Sequence, residues 1–122
     1  ESNGDLYVSI HVDSCDDPSI RGAIVFHSKN NEESLNLATI IQSHLNKVTV
    51  INPQAGEYFH QEVKEGDFHI LNNAVIPGVL AEVGFITNAN DRKLLATHSY
   101  RKKLAEAICN GIVDFLCNIP AH

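Results

Sequence analysis

The amino-acid sequence predicts an α/β fold, in which a twisted, at least partly parallel β-sheet has helices on both faces. Three observations indicate this fold. Short apolar runs typical of strands alternate along the chain with segments of helical periodicity. The 122 residues suffice for one domain with a core of its own, and 43% of them are hydrophobic. We therefore treat residues 1–122 as a single domain.

The first half of the chain predicts two strands and one helix. Residues 6–12 alternate between apolar and polar side chains, with the apolar set on one face, which indicates a strand. Residues 22–27 (GAIVFH) form an apolar run typical of a more fully buried strand. A helix is expected after Asn30 and Asn31, either of which can cap it, and its end is expected near Asn46.

The second half predicts two more strands and two helices. Residues 67–71 and 78–86 are apolar runs typical of buried strands. A short helix is expected over residues 90–96, and a long helix with an apolar stripe over residues 99–117. Most of residues 52–66 have no clear period and are predicted to form a loop, which either lines a binding groove or is simply solvated.

The composition excludes several classes of partner. Fifteen acidic and nine basic residues give a formal charge of −6, the wrong sign for a protein that binds nucleic acid through its phosphates. No apolar run approaches the length that spans a membrane, so membrane insertion is not expected.

Cys109 and Cys117 lie eight residues apart on one predicted helix, roughly 12 Å from each other, which is too far for a disulfide.

Glu82 and His11 are the strongest candidates for chemistry. Glu82 interrupts an otherwise uncharged apolar strand, where a carboxylate is costly to desolvate unless it is paired, protonated or close to a metal. It is either a strand-end residue that reaches water or a general base. His11 ends the polar face of the first strand and is either a hydrogen-bonded structural residue or a metal ligand. Together they offer one group to hold an ion and one to move protons.

Other polar residues give weaker signals. His27, His44 and His69 are each interpreted as structural. Glu57 and His60 have a spacing that would place both on one face of a helix, but the neighbouring proline and glycines argue against a helix there. Ser9 and His11 lie two apart on a strand and therefore point the same way, but no third orienting acid completes a Ser-His nucleophile pair. Cys15 lies in an acidic loop, which discourages thiol reactivity.

Two segments resemble a known family. Residues 9–14 (SIHVDS) and residues 76–95 (IPGVLAEVGFITNANDRKLL) are similar to the strand-end motif and the later glutamate motif of the zinc-dependent N-acetylmuramoyl-L-alanine amidases. The similarity continues through residues 22–28 and the closing helix over residues 100–116. It covers nearly all of the chain and implies the family's α/β fold.

The resemblance implies a zinc site whose last ligand is His11 and whose catalytic glutamate is Glu82. Nothing in the chain matches the family's two other zinc ligands, which precede the strand that opens it, so they are expected upstream of Glu1. The chain thus resembles the C-terminal two thirds of the catalytic domain, with the N-terminal strand and helix units missing. The missing part is itself an expected partner, and activity and strong metal affinity are not expected of the 122 residues alone.

The implied activity is hydrolysis of the amide between N-acetylmuramic acid and L-alanine in peptidoglycan. This predicts an autolysin-type hydrolase in the bacterial cell envelope, or a phage lysin that reaches it. Two alternatives stay open: a non-catalytic peptidoglycan-binding or regulatory domain with an incomplete metal site, and a generic α/β ligand-binding domain with a structural His and Glu.

Overall fold

Six strands and three helices lie within residues 6–67 and 76–118, the part of the chain that the computed structural model describes. The strands are β1 (Tyr7–Asp13), β2 (Ile20–Gly22), β3 (Ile24–His27), β4 (Tyr58–His60), β5 (Val63–Glu65) and β6 (Gly78–Phe85). The helices are α1 (Glu32–Thr49), α2 (Ala89–Leu95) and α3 (His98–Cys117).

The main sheet has four strands in the order β1-β6-β3-β5. The outer pairs, β1 with β6 and β3 with β5, are parallel, while the central pair β3 and β6 is antiparallel. A second, two-stranded parallel sheet joins β2 to β4. The predicted α/β class with a partly parallel sheet is thus confirmed.

The core lies where α1 and α3 pack against one face of the main sheet. Alternate residues of β6 supply the sheet side of the core, namely Val79, Ala81 and Val83. The helix side is a set of fully or almost fully buried side chains at helical spacing: Leu37, Ala38, Ile41, Leu45, Tyr100, Leu104, Ala107, Ile108 and Phe115. This apolar stripe explains why two helices form side by side over β6.

The helix predictions are largely confirmed. Asn31 caps α1, its side-chain oxygen accepting a hydrogen bond from the Ser34 amide at 2.9 Å, and Asn88 caps α2 in the same way. The predicted end of α1 near Asn46 is wrong by three residues. The helix continues to Thr49 because Val48 packs against the core and Thr49 is buried.

Two strand predictions need correction, and a third is not tested. The predicted strand over residues 22–27 is divided between β2 and β3, and the chain changes sheets at Gly22, whose φ is +97°. A Cβ on Gly22 would lie 2.5 Å from the His60 carbonyl oxygen, so the approach of β4 requires glycine there. Residues 52–66, predicted to be mostly loop, contain β4 and β5. The predicted strand over residues 67–71 falls almost entirely outside the described residues.

β1 lies at an edge of the main sheet, and its apolar face is only partly covered. The Tyr7 amide donates to the Pro77 carbonyl at 2.8 Å, so the even-numbered residues of β1 direct their backbone groups away from β6. Within the described part of the chain β6 is the only strand that pairs with β1. The alternation of residues 6–12 is typical of a strand with one buried face, but Ile10 and Val12 are 56% and 47% exposed.

Candidate active site

His11 and Glu82 lie side by side on adjacent parallel strands. They are register partners in the β1–β6 pair, so their side chains leave the same face of the sheet. This face is opposite to the one that carries the core residues of β6, because the faces alternate along a strand. The two residues that the sequence singles out are therefore brought together.

Glu82 is a buried carboxylate with an incomplete set of partners. It is 9% exposed, and its Oε2 is buried with no hydrogen-bond partner among the described residues. Burial raises the pKa of the Glu82 carboxyl above its usual value, the negative charge of Asp13 raises it further, and His11 offsets part of this effect. Such a group is poised to take up a proton or to face a cation.

A register shift brings Asp13 close to the same pair. From His11 to Asp13 the strand β1 advances by two residues, whereas from Glu82 to Phe85 its partner β6 advances by three. Irregularities of this kind re-aim side chains at the ends of strands. The site thus holds one imidazole and two carboxylates, and Asp13 is the member that the sequence did not single out by itself.

The His11 ring is exposed and held by a neighbour on its own strand. Its Nε2 lies 2.7 Å from the Ser9 hydroxyl oxygen. Since residues two apart on a strand share a face, both side chains lie on the Glu82 side of the sheet. Because this bond occupies only one ring nitrogen, the other remains available to a ligand.

The donor set fits part of a zinc site. Imidazole nitrogen and carboxylate oxygen are ordinary zinc ligands, and the orphaned buried oxygen of Glu82 suits a site that handles positive charge. Residues 6–67 and 76–118 contain no cluster of three or more His, Cys, Asp or Glu that could hold a metal by itself. A metal site that used His11 would therefore need further ligands from elsewhere.

The weaker histidine candidates have other partners. The Nδ1 of His60 pairs with Glu62 at 2.7 Å, and the Nε2 of His44 pairs with Asp114 at 2.6 Å. Glu57 bonds Arg21 instead, so the two residues of the Glu57–His60 spacing have different partners. The structural interpretation of His44 agrees with this packing, and His69 lies outside the described residues.

Arg21 is the centre of a buried charge cluster that the sequence did not reveal. Its side chain is 1% exposed and bonds Asp91 at 3.0 Å and Glu57 at 3.1 Å. Desolvation opposes ionisation of Glu57, but hydrogen bonds from Asn90, Asn88 and Arg21 lower the pKa of its carboxyl to about 2. The available signal was a charged residue at the start of a buried strand, which requires acidic partners.

This cluster positions the segment around β4 near the site. Glu57 accepts from Asn88 and Asn90 at the start of α2, and Asp91 accepts from the backbone amide of Phe85 at the end of β6. The His60 ring stacks on Phe85 with centroids 5.5 Å apart. The segment is thus tied to the end of β6, where Asp13 pairs with Phe85.

Comparison with known proteins shows the family of the chain. The family model described as N-acetylmuramoyl-L-alanine amidase matches residues 1–114. The protein YqiI of Bacillus subtilis is 40% identical over 115 residues, covering 93% of this chain and 52% of YqiI. The probable cell wall amidase LytH of Staphylococcus epidermidis is 27% identical over 112 residues, covering 92% of this chain and 35% of LytH.

A solved amidase structure has a similar fold. The CwlD amidase from Clostridioides difficile, solved in complex with the GerS lipoprotein, superposes with a TM-score of 0.84 at 35% identity. The match covers 95% of this chain and 56% of that one. This chain therefore spans about half the length of YqiI and CwlD, and about a third of LytH.

Proposed function

Because the chain belongs to the N-acetylmuramoyl-L-alanine amidase family, we propose that it forms part of a zinc-dependent hydrolase that cleaves the amide between N-acetylmuramic acid and L-alanine in peptidoglycan. The observation that supports this most directly is the register pairing of His11 with Glu82. It places a metal-binding nitrogen and a proton-transferring carboxylate on one face of the sheet.

Glu82 is proposed as the general base and then the general acid. Its carboxylate takes the proton of the attacking water and returns a proton to the alanine nitrogen as the amide bond breaks. Burial and the charge of Asp13 raise the pKa of the Glu82 carboxyl, which strengthens it as a base and lets it hold the proton between the two steps.

His11 is proposed as a zinc ligand. When bound, zinc lowers the pKa of a coordinated water and polarises the scissile carbonyl. The remaining ligands are proposed to lie outside these 122 residues, upstream of Glu1. Among the described strands none pairs with the outer edge of β1, and this edge, with the exposed Ile10 and Val12, offers a place for that part of the domain to pair as a further strand.

The proposed site of action is the bacterial cell wall, reached from the envelope or by a phage lysin. The naming of LytH as a probable cell wall amidase supports this location. None of the helices in the described parts of the chain has the length and apolarity needed to cross a bilayer.

The test uses the gene product that contains these 122 residues, purified peptidoglycan, and a chelator followed by added zinc. We expect new L-alanine amino groups without new reducing sugar ends, loss of this activity with the chelator, and recovery with zinc. Glu82→Gln should lower the rate by about 10²–10⁴-fold, while Glu106→Gln, on the exposed face of α3, should not. Peptidoglycan binding without amide cleavage would instead support a non-catalytic binding domain.

A further inference from the structure

We propose that Ser9 is a positioning residue for His11: its hydroxyl accepts a hydrogen bond from the Nε2–H of the ring and so keeps the Nδ1 lone pair free for a cation. The proposal rests on the proposed function, because it assigns Ser9 a purpose only if His11 binds a metal. It concerns one contact, the 2.7 Å approach of the Ser9 Oγ to the His11 Nε2.

The strand geometry fixes this contact. Ser9 and His11 pair in register with Leu80 and Glu82, so the backbone on both sides of the bond is held by β6. Ser9 is half-buried, which limits the positions open to its short side chain. No other hydrogen bond to the His11 ring is found within residues 6–67 and 76–118, so Ser9 supplies the one directional contact to the ring there.

The direction of the bond follows from the chemistry of a ligand. A hydroxyl can donate or accept, and a neutral imidazole carries its proton on one nitrogen only. If the Ser9 hydroxyl donated to Nε2, the proton would sit on Nδ1 and both nitrogens would be engaged. If it accepts, Nδ1 keeps its lone pair, and metal-bound histidines generally donate their second N–H to an oxygen in this way.

The test reads the His11 tautomer directly in the metal-free 122-residue chain. Two-bond ¹H–¹⁵N correlation spectra are recorded at about pH 9, where imidazoles are neutral. His11→Gln identifies the His11 signals by their loss. Ser9→Ala removes the acceptor, Ser9→Thr retains a hydroxyl on a residue suited to strands, and Ser14→Ala is the matched control just beyond the end of β1.

We expect the Nε2–H form to dominate in the wild type and the ratio of Nε2–H to Nδ1–H to fall about fivefold in Ser9→Ala, equivalent to about 1 kcal/mol for one hydrogen bond. Ser9→Thr should restore the ratio, and Ser14→Ala should leave it unchanged. A dominant Nδ1–H form in the wild type, or an equal ratio in Ser9→Ala, would overturn the proposal. Because no metal or substrate is present, this result is independent of whether the amidase activity is found.

Discussion

Replacing Glu82 by Gln should stabilise the metal-free chain at neutral pH. The buried Oε2 has no partner among the described residues, and the neighbouring Asp13 is also acidic. Leaving a buried polar group unsatisfied costs about 1–3 kcal/mol, and more if it is charged. The Gln amide keeps the shape but loses the charge, so we expect a gain of about 1–2 kcal/mol in the free energy of unfolding.

The sign of the pH dependence follows from the raised pKa of Glu82. In the unfolded chain the carboxyl ionises near the ordinary glutamate pKa of 4.5, and in the folded chain it ionises at higher pH. Ionisation therefore costs the wild type stability as the pH rises through this interval, and the cost is complete above the folded pKa. Below the unfolded pKa both variants are neutral at this position, so their stabilities should converge.

The assay is urea unfolding with a chelator present, at about pH 7 and at about pH 4. A gain of about 1 kcal/mol in a domain of this size corresponds to a rise in Tm of roughly 3–6 °C. Glu106→Gln is the control, since exposed substitutions usually stay within about 0.5 kcal/mol. If Glu82→Gln is less stable than wild type at neutral pH, or if the difference does not shrink in acid, burial of the Glu82 charge is not what destabilises the fold.

Three further predictions concern stability, and each is measured by urea unfolding. Arg21→Met should cost about 3 kcal/mol because it leaves the buried Asp91 and the half-buried Glu57 without their counter-charge; a cost below about 1 kcal/mol would contradict this. The ionised Glu57 should stabilise the fold at a pH above its ordinary pKa of 4.5, and this stabilisation should be lost as the pH falls towards its folded pKa of about 2. The free energy of unfolding of Glu57→Gln should therefore fall less steeply in acid than that of the wild type. An unchanged slope of this free energy against pH would argue against the ion pair. Gly111→Ala should cost about 1–3 kcal/mol, since its Cβ would lie 2.9 Å from the Cγ1 of Ile41. An unchanged free energy of unfolding would show that α1 shifts easily to make room for the methyl group.

The features that the sequence predicts well are those with a local cause. The long apolar run of β6 marks a strand buried on both faces, and the Asn caps place the starts of α1 and α2. The strands β4 and β5 were missed because three residues are too few to show a period, and their pairing with β2 and β3 is set by tertiary contacts.

The site could be predicted only in part. Glu82 stood out as a charged residue in an apolar strand and His11 as the end of a strand's polar face, but their register depends on the alignment of segments that are far apart in the sequence. The Arg21 cluster joins residues from three distant segments, so no local pattern predicts it. The exposure of Ile10 likewise depends on which elements pack against β1, which a periodic pattern does not reveal.

Whether His11 and Glu82 share one metal site can be decided by anomalous diffraction at the zinc absorption edge, from crystals of the gene product that contains this chain, grown with zinc. We expect one zinc ion with a ring nitrogen of His11 about 2.0–2.1 Å away, and the Glu82 carboxylate on the same side of the sheet, close enough to reach a water on the metal. A zinc ion bound elsewhere, with His11 not among its ligands and Glu82 too far away to reach a water on the metal, would contradict the shared site.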